Sequence, residues 1–178
     1  MRITTMNRWL PVLVAVCMTT TVAAALYDSS YSPIDEASCT TLFVDQHGIS
    51  STQRCPAFGS WGVIVQEGDL RQSITLERDG KAWPLDFWRT VSPAWSYLGK
   101  VIEWRHERGN PGNPVAMIVR LDVSENPVEP DRTTSYLVVS RIGESAVCVV
   151  GRIAPQKDGS QNLKAREMAD FAAALPCL

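Results

Sequence analysis

Four stretches of this chain repeat with a period of two, and turn signals separate them. Residues 61–66 set Trp61, Val63 and Val65 against Gly62, Ile64 and Gln66. Residues 71–77 set Ile74 and Leu76 against Arg71, Ser73, Thr75 and Glu77, and Arg78-Asp79-Gly80 follows as a turn. In residues 100–107, Ile102, Trp104 and His106 oppose Glu103, Arg105 and Glu107; in residues 115–123, Val115, Met117, Val119, Leu121 and Val123 share one face. Successive side chains of a strand point to opposite faces, so this alternation predicts neighbouring antiparallel strands with one buried face. The run Gly109-Asn110-Pro111-Gly112-Asn113-Pro114 is a turn by composition, as is 126–131.

Three further strands are expected. Residues 40–44 form a short one; 133–142, apolar on both faces around Tyr136-Leu137-Val138-Val139, reads as a central one; 145–154 carries Cys148. The period then changes. Met168, Phe171, Ala172 and Leu175 recur at i, i+3, i+4 and i+7 behind Asp158-Gly159-Ser160, which predicts a helix over 161–175 ended by Pro176. Residues 81–99 break the strand pattern and are read as a short helix from Pro84 or a long loop with its own apolar filling. The fold class expected is α+β: a mostly antiparallel sheet of about six strands, a C-terminal helix packed on one face, and two disulfides.

The disulfides follow from cysteine arithmetic and from the N-terminus. Arg2 and Arg8 precede an apolar stretch, 9–18, and Ala23-Ala24-Ala25 offers a small-residue cleavage site, so residues 1–25 read as a signal peptide; retention as a membrane anchor is the other reading. Residues 26–38 are polar and turn-rich, a flexible lead-in, and 39–178 form a single domain. Once Cys17 leaves with the signal, Cys39, Cys55, Cys148 and Cys177 remain. An even count in an exported domain reads as two bonds with three possible connectivities; the sequential pairing is favoured because each pair sits in its own terminal region. Localisation in the periplasm or outside the cell is the consequence.

The residues carrying these patterns also carry a resemblance. The paired Cys39 and Cys55, the strand leading into Glu67-Gly68-Asp69-Leu70-Arg71, the Ile102-Glu103-Trp104-Arg105 strand and the late Val138-Val139 and Cys148 strands resemble a group of small exported proteins of Gram-negative bacteria of unassigned function. The resemblance spans about 39–154, implies export and a shared fold, and carries over no catalytic residue. The small β-barrel lysozyme inhibitors are similar in size, export and disulfides, a likeness of class alone.

Charge excludes one class of partner. The net charge is −2 and becomes −4 when residues 1–25, with two arginines and no acid, are removed. With no basic cluster, a nucleic-acid partner is not expected, and membrane contact is expected only through the signal segment. No cofactor or metal is expected either. His47 and His106 are the only histidines, too few for a convergent ligand set, and both are read as structural or solvent-facing. Gly143-Glu144-Ser145-Ala146 lacks the closing glycine and the strand-to-helix context of a nucleophile elbow. Glu67, Asp69, Glu103 and Glu107 could serve a carboxylate-dependent hydrolase of envelope polymers if two of them faced each other across a cleft.

Aromatic residues are the most suggestive content. Trp83, Trp88, Trp95 and Tyr97 fall in one irregular segment, and tryptophan on a loop stacks on sugar rings or anchors a protein, unless it fills a satellite core. The expected surface therefore comprises Asp45 and His47 in the stapled loop with Trp83, Trp88, Trp95 and Tyr97. The reading leans towards a non-enzymatic exported module that binds an envelope protein or glycan. A hydrolase and a purely structural envelope component are the alternatives.

Overall fold

The alternating runs become strands because each has one face that only another apolar face can cover. The computed structural model describes residues 26–144 and 146–178. The expected signal peptide and Ser145 lie outside the described residues. Ten strands are present among them: β1 (Tyr27–Pro33), β2 (Thr40–Val44), β3 (Ser50–Phe58), β4 (Trp61–Gly68), β5 (Arg71–Arg78), β6 (Lys81–Pro84), β7 (Ser96–Glu107), β8 (Pro114–Val123), β9 (Thr134–Ile142) and β10 (Val147–Ile153). A one-turn helix, α1 (Phe87–Thr90), precedes β7, and α2 (Gln161–Asp170) follows β10 before a 3-10 turn, Ala172–Ala174.

The strand order is β10-β9-β8-β7-β5-β4-β3-β2, with β1 beside β7 and β6 beside β5. The expectation of about six antiparallel strands is thus corrected to ten in a mixed sheet: all pairings are antiparallel except one bridge, Arg71 with Ser96, between β5 and β7. The additional strands are those without an apolar period. β3 falls in the stretch expected to be a stapled loop, β6 in the irregular segment, and β1 in the stretch expected to be a flexible lead-in. β1 instead pairs along its length with β7, from Tyr27 opposite Glu107 to Pro33 opposite Val101.

The sheet curls on itself. Val63 and Leu76 from β4 and β5 share one core with Trp104, Val119, Val138 and Val149 from β7 to β10. Strands separated in the sheet order can meet in one core only if the two halves face each other. Trp61 and Trp104 lie fully buried there, and each large side chain so buried contributes about 1.5–3 kcal/mol. Phe58, at the end of β3, stacks on Trp104 with ring centroids 4.9 Å apart, which pins the two layers together. Residues 81–99 do not carry a separate filling: Leu85, Phe87 and Val91 enter this same core, and Trp83 tilts against Trp61 at 5.5 Å.

A second core lies on the outer face. Ala116, Ile118, Leu137, Val139 and Val150 meet Ala165, Ala169 and Ala172 of the C-terminal helical segment. β9 is therefore buried on both faces, as its composition required. Of the expected stripe Met168, Phe171, Ala172 and Leu175, Ala172 is buried in this core and Met168 and Leu175 pack against it, while Phe171 is 70% exposed; Ala165 and Ala169 complete the buried face. Met168 meets β10 at close range: a Cβ on Gly151 would lie 2.6 Å from the Met168 Sδ.

Both disulfides take the sequential pairing, Cys39 with Cys55 and Cys148 with Cys177. The first ties β2 to β3; the second ties the C-terminal tail to β10. Two disulfides fit a protein that matures outside the reducing cytoplasm. Among the described residues no helix is long and apolar enough to cross a membrane.

Candidate functional site

The single parallel bridge helps to build an open cleft. Where Arg71 at the start of β5 meets Ser96 at the start of β7, the Ser96 amide donates to the Leu70 carbonyl at 2.9 Å. On its other side Ser96 pairs with Val123, and the Ser124 amide donates to the Trp95 carbonyl at 2.9 Å. Three remote segments thereby converge: Arg71, the turn Pro93-Ala94-Trp95, and Ser124, Glu125 and Pro127 after β8. They line a cleft of ≈ 390 Å³, within the range of small-ligand sites.

Trp95 is 45% exposed in this cleft and Tyr97 is 42% exposed beside it, while Ser96 between them is buried inward. The polar groups at the rim are held by their own partners. The Arg71 guanidinium pairs with Asp69 and donates to the Pro93 carbonyl at 3.3 Å. The Tyr136 hydroxyl donates to Glu125 Oε1 at 2.7 Å. That hydrogen bond holds the Glu125 carboxyl below the usual glutamate value against a smaller opposing effect of burial, so it stays ionised. Burial first, and the same bond second, push the Tyr136 phenol up. The cleft thus presents a flat aromatic surface between a fixed cation and a fixed anion.

The hairpin that delivers Arg71 is itself strained. Asp69 and Leu70 have φ of 51° and 58°, the left-handed conformation that favours glycine or asparagine. Leu70 in that conformation is exposed at the same end of the sheet. Such strain persists only where the surroundings over-determine it, and here the Ser96 amide holds the Leu70 carbonyl.

The other residues expected in a binding surface are distributed differently. Trp83 on β6 and Trp88 on α1 are half-buried, Trp83 against Trp61. Asp45 and His47 sit in the β2–β3 hairpin, where Asp45 Oδ1 accepts from the His47 and Ile49 amides and so shapes the turn; His47 is exposed. Of the expected set Trp95 lines the cleft, and Tyr97, two residues further on, is exposed outside its lining. Arg71, Ser124, Glu125 and Pro127 escaped sequence reasoning because strand register, not proximity in the chain, brings them to Trp95.

The four carboxylates considered for hydrolysis take separate surroundings. Glu103 accepts from Ser29 Oγ at 2.5 Å and from Arg166 Nε at 2.6 Å beneath α2. Glu67 accepts from Gln72 Nε2 at 3.1 Å, Asp69 pairs with Arg71, and Glu107 is exposed. His106 is buried: its Nδ1 faces the Glu107 carbonyl at 3.0 Å, which requires the proton there, so Nε2 accepts from Ser30 Oγ at 2.9 Å. Among the described residues no group of three or more His, Cys, Asp or Glu side chains could hold a metal ion.

A second cleft, about 440 Å³, opens between the layers. Its walls are β2 and β3 on one side and the 34–36 and 98–100 segments on the other, with Glu67 and Gln72 at the base. Gln72 closes that base by accepting from the Leu98 amide at 2.8 Å while donating to Glu67.

The fold and the clefts define a disulfide-linked, two-layer β-protein with a helix on its outer face. No family model, curated protein or solved structure matches the chain, so its sites rest on their own geometry.

Proposed function

We propose that the chain is an exported, non-enzymatic binding module that holds an envelope glycan against Trp95. The observation that carries this reading is the exposed Trp95 face in a ≈ 390 Å³ cleft whose polar rim, Arg71 and Glu125, is already fixed by internal partners. A sugar ring offers an apolar face and a girdle of hydroxyls. An aromatic platform with a pre-positioned donor and acceptor complements both, and little ordering remains to oppose binding. The two disulfides, with the signal-like residues 1–25, support a site of action in the periplasm or outside the cell.

Titration of the purified protein with soluble peptidoglycan fragments, followed by tryptophan fluorescence, tests this. Saturable binding that falls roughly tenfold or more in Trp95→Ala, with the fold retained by circular dichroism, is expected. New reducing ends in the same mixture would establish a hydrolase instead. Unchanged affinity in Trp95→Ala would remove the cleft from the binding site.

A further inference from the structure

The sheet has a second place where a ligand can be held, away from Trp95. β2 ends the strand order and pairs only with β3. All five of its residues are exposed, and Leu42, Phe43 and Val44 are each more than half exposed. Thr40–Val44 contains no charge and no proline, the usual guards of an open edge.

The other edges are guarded. On β10 the Leu178 amide donates to the Val149 carbonyl at 2.9 Å, the Cys148–Cys177 bond holds that tail in place, and Arg152 reaches across to the Val91 carbonyl. β6 has four residues, beginning at Lys81 and ending at Pro84. β1 carries Asp28 and ends at Pro33. β2 is open by contrast, and the Cys39–Cys55 bond fixes it against β3, so a partner strand meets a preformed template.

The surroundings select the occupant. Thr41 and Val44 of β2 share the interlayer cleft with Asp35, Glu36 and Glu67, against Lys100 as the cation. Asp35 is spent on its own turn, accepting from the Ser38 amide and hydroxyl, but Glu36 is exposed. A second copy of the chain fits this charge poorly. Antiparallel pairing of two β2 strands about Leu42 would set Asp45 of one copy opposite Cys39 of the other, towards its acidic 35–36 turn. Like charges so placed oppose association.

We propose that the free edge of β2 takes an extended basic peptide as an additional strand, whose ladder to β2 supplies affinity and whose lysine or arginine side chains meet Glu36 and its acidic neighbours. The register shift between Thr41 and Phe43 keeps that ladder short. Alternate residues of the peptide face the cleft, so a lysine at every second position satisfies the acidic wall while the apolar residues between them cover Leu42 or Phe43.

The probe is a fluorescently labelled synthetic peptide alternating lysine and valine, titrated into the purified protein at low and high salt. Saturable binding that weakens with salt, with slowed amide exchange across Thr40–Val44, is expected. An otherwise identical peptide with alternate amides N-methylated should bind about tenfold more weakly or worse, because it cannot form the ladder. Glu36→Lys should weaken the unmethylated peptide to a similar degree and leave glycan binding at Trp95 unchanged. Equal binding of the methylated peptide, or of one with glutamate in place of lysine, overturns the proposal. So does dimerisation abolished by Leu42→Lys, which would give the edge to a second copy.

Discussion

Arg105 is the clearest case of a residue whose polar partners must all be present. Its side chain is almost fully buried, and it donates from Nε and a terminal nitrogen to the two Asp170 oxygens at 2.8 and 2.9 Å and from the other terminal nitrogen to Ser29 at 2.6 Å. This fork joins β7 to the end of α2 and to β1. Asp170→Ala would leave a buried guanidinium with one neutral partner, and a loss of about 2–3 kcal/mol is expected in urea unfolding. Glu125 and Tyr136 give a pH signature instead. The folded Glu125 carboxyl lies below its ordinary value of 4.5, so its contribution is present above that value and is lost as pH falls through the lower folded value. The folded Tyr136 phenol lies above 10.0, so its contribution is full below that value and is lost as pH rises through the higher folded value. The stability gap between the protein and Tyr136→Phe should therefore be widest between these limits and narrow on both sides, as thermal melts across pH would record.

At the scale of elements, hairpin contacts are the vulnerable points. Gly59, at the β3–β4 turn with φ of 58°, lies where a Cβ would stand 2.6 Å from the Gly112 carbonyl of the β7–β8 turn. Gly80 has φ of 73° and no atom near a Cβ. Alanine at Gly80 should cost about 1 kcal/mol from backbone conformation alone, whereas Gly59→Ala adds a backbone collision and should cost at least about 2 kcal/mol. Equal unfolding free energies for the two variants would count against the contact. The elements hidden from sequence reasoning share a cause. β1 and β3 are mostly polar strands whose side chains answer polar partners or solvent, so no period of two betrays them. The α2 face was legible in Met168, Ala172 and Leu175, but Ala165 and Ala169 carry too little hydrophobic weight to extend the pattern, and Phe171 fits the period yet is exposed. Strands with a true apolar face, β4, β5, β7, β8 and β9, were legible because burial selects that pattern directly.

For the molecule as a whole, the two disulfides close loops with sequence separations of 16 and 29 residues, which correspond to about 3 and 3.5 kcal/mol by loop-closure entropy. Reduction should lower the urea midpoint sharply, and Cys148→Ser with Cys177→Ser should also free the tail that guards β10, so aggregation should rise with concentration. The denatured, unreduced protein should show no reactive thiol from these four cysteines. The candidate site was half legible at this scale: Trp95 stood out as an aromatic in an irregular segment, but its polar companions come from the start of β5 and from the residues after β8. β1 has a consequence in time. Its serines satisfy Glu103 and Arg105 through Ser29, His106 through Ser30 and the Trp104 indole through Ser32, all on a strand about 70 residues later in the chain. A nascent chain therefore carries β1 unpaired until β7 has emerged, so the first strand of the chain joins the sheet no earlier than its seventh. Chains lacking residues 26–33 should stall with those groups unanswered, and a free peptide of that sequence, supplied separately, should let them finish.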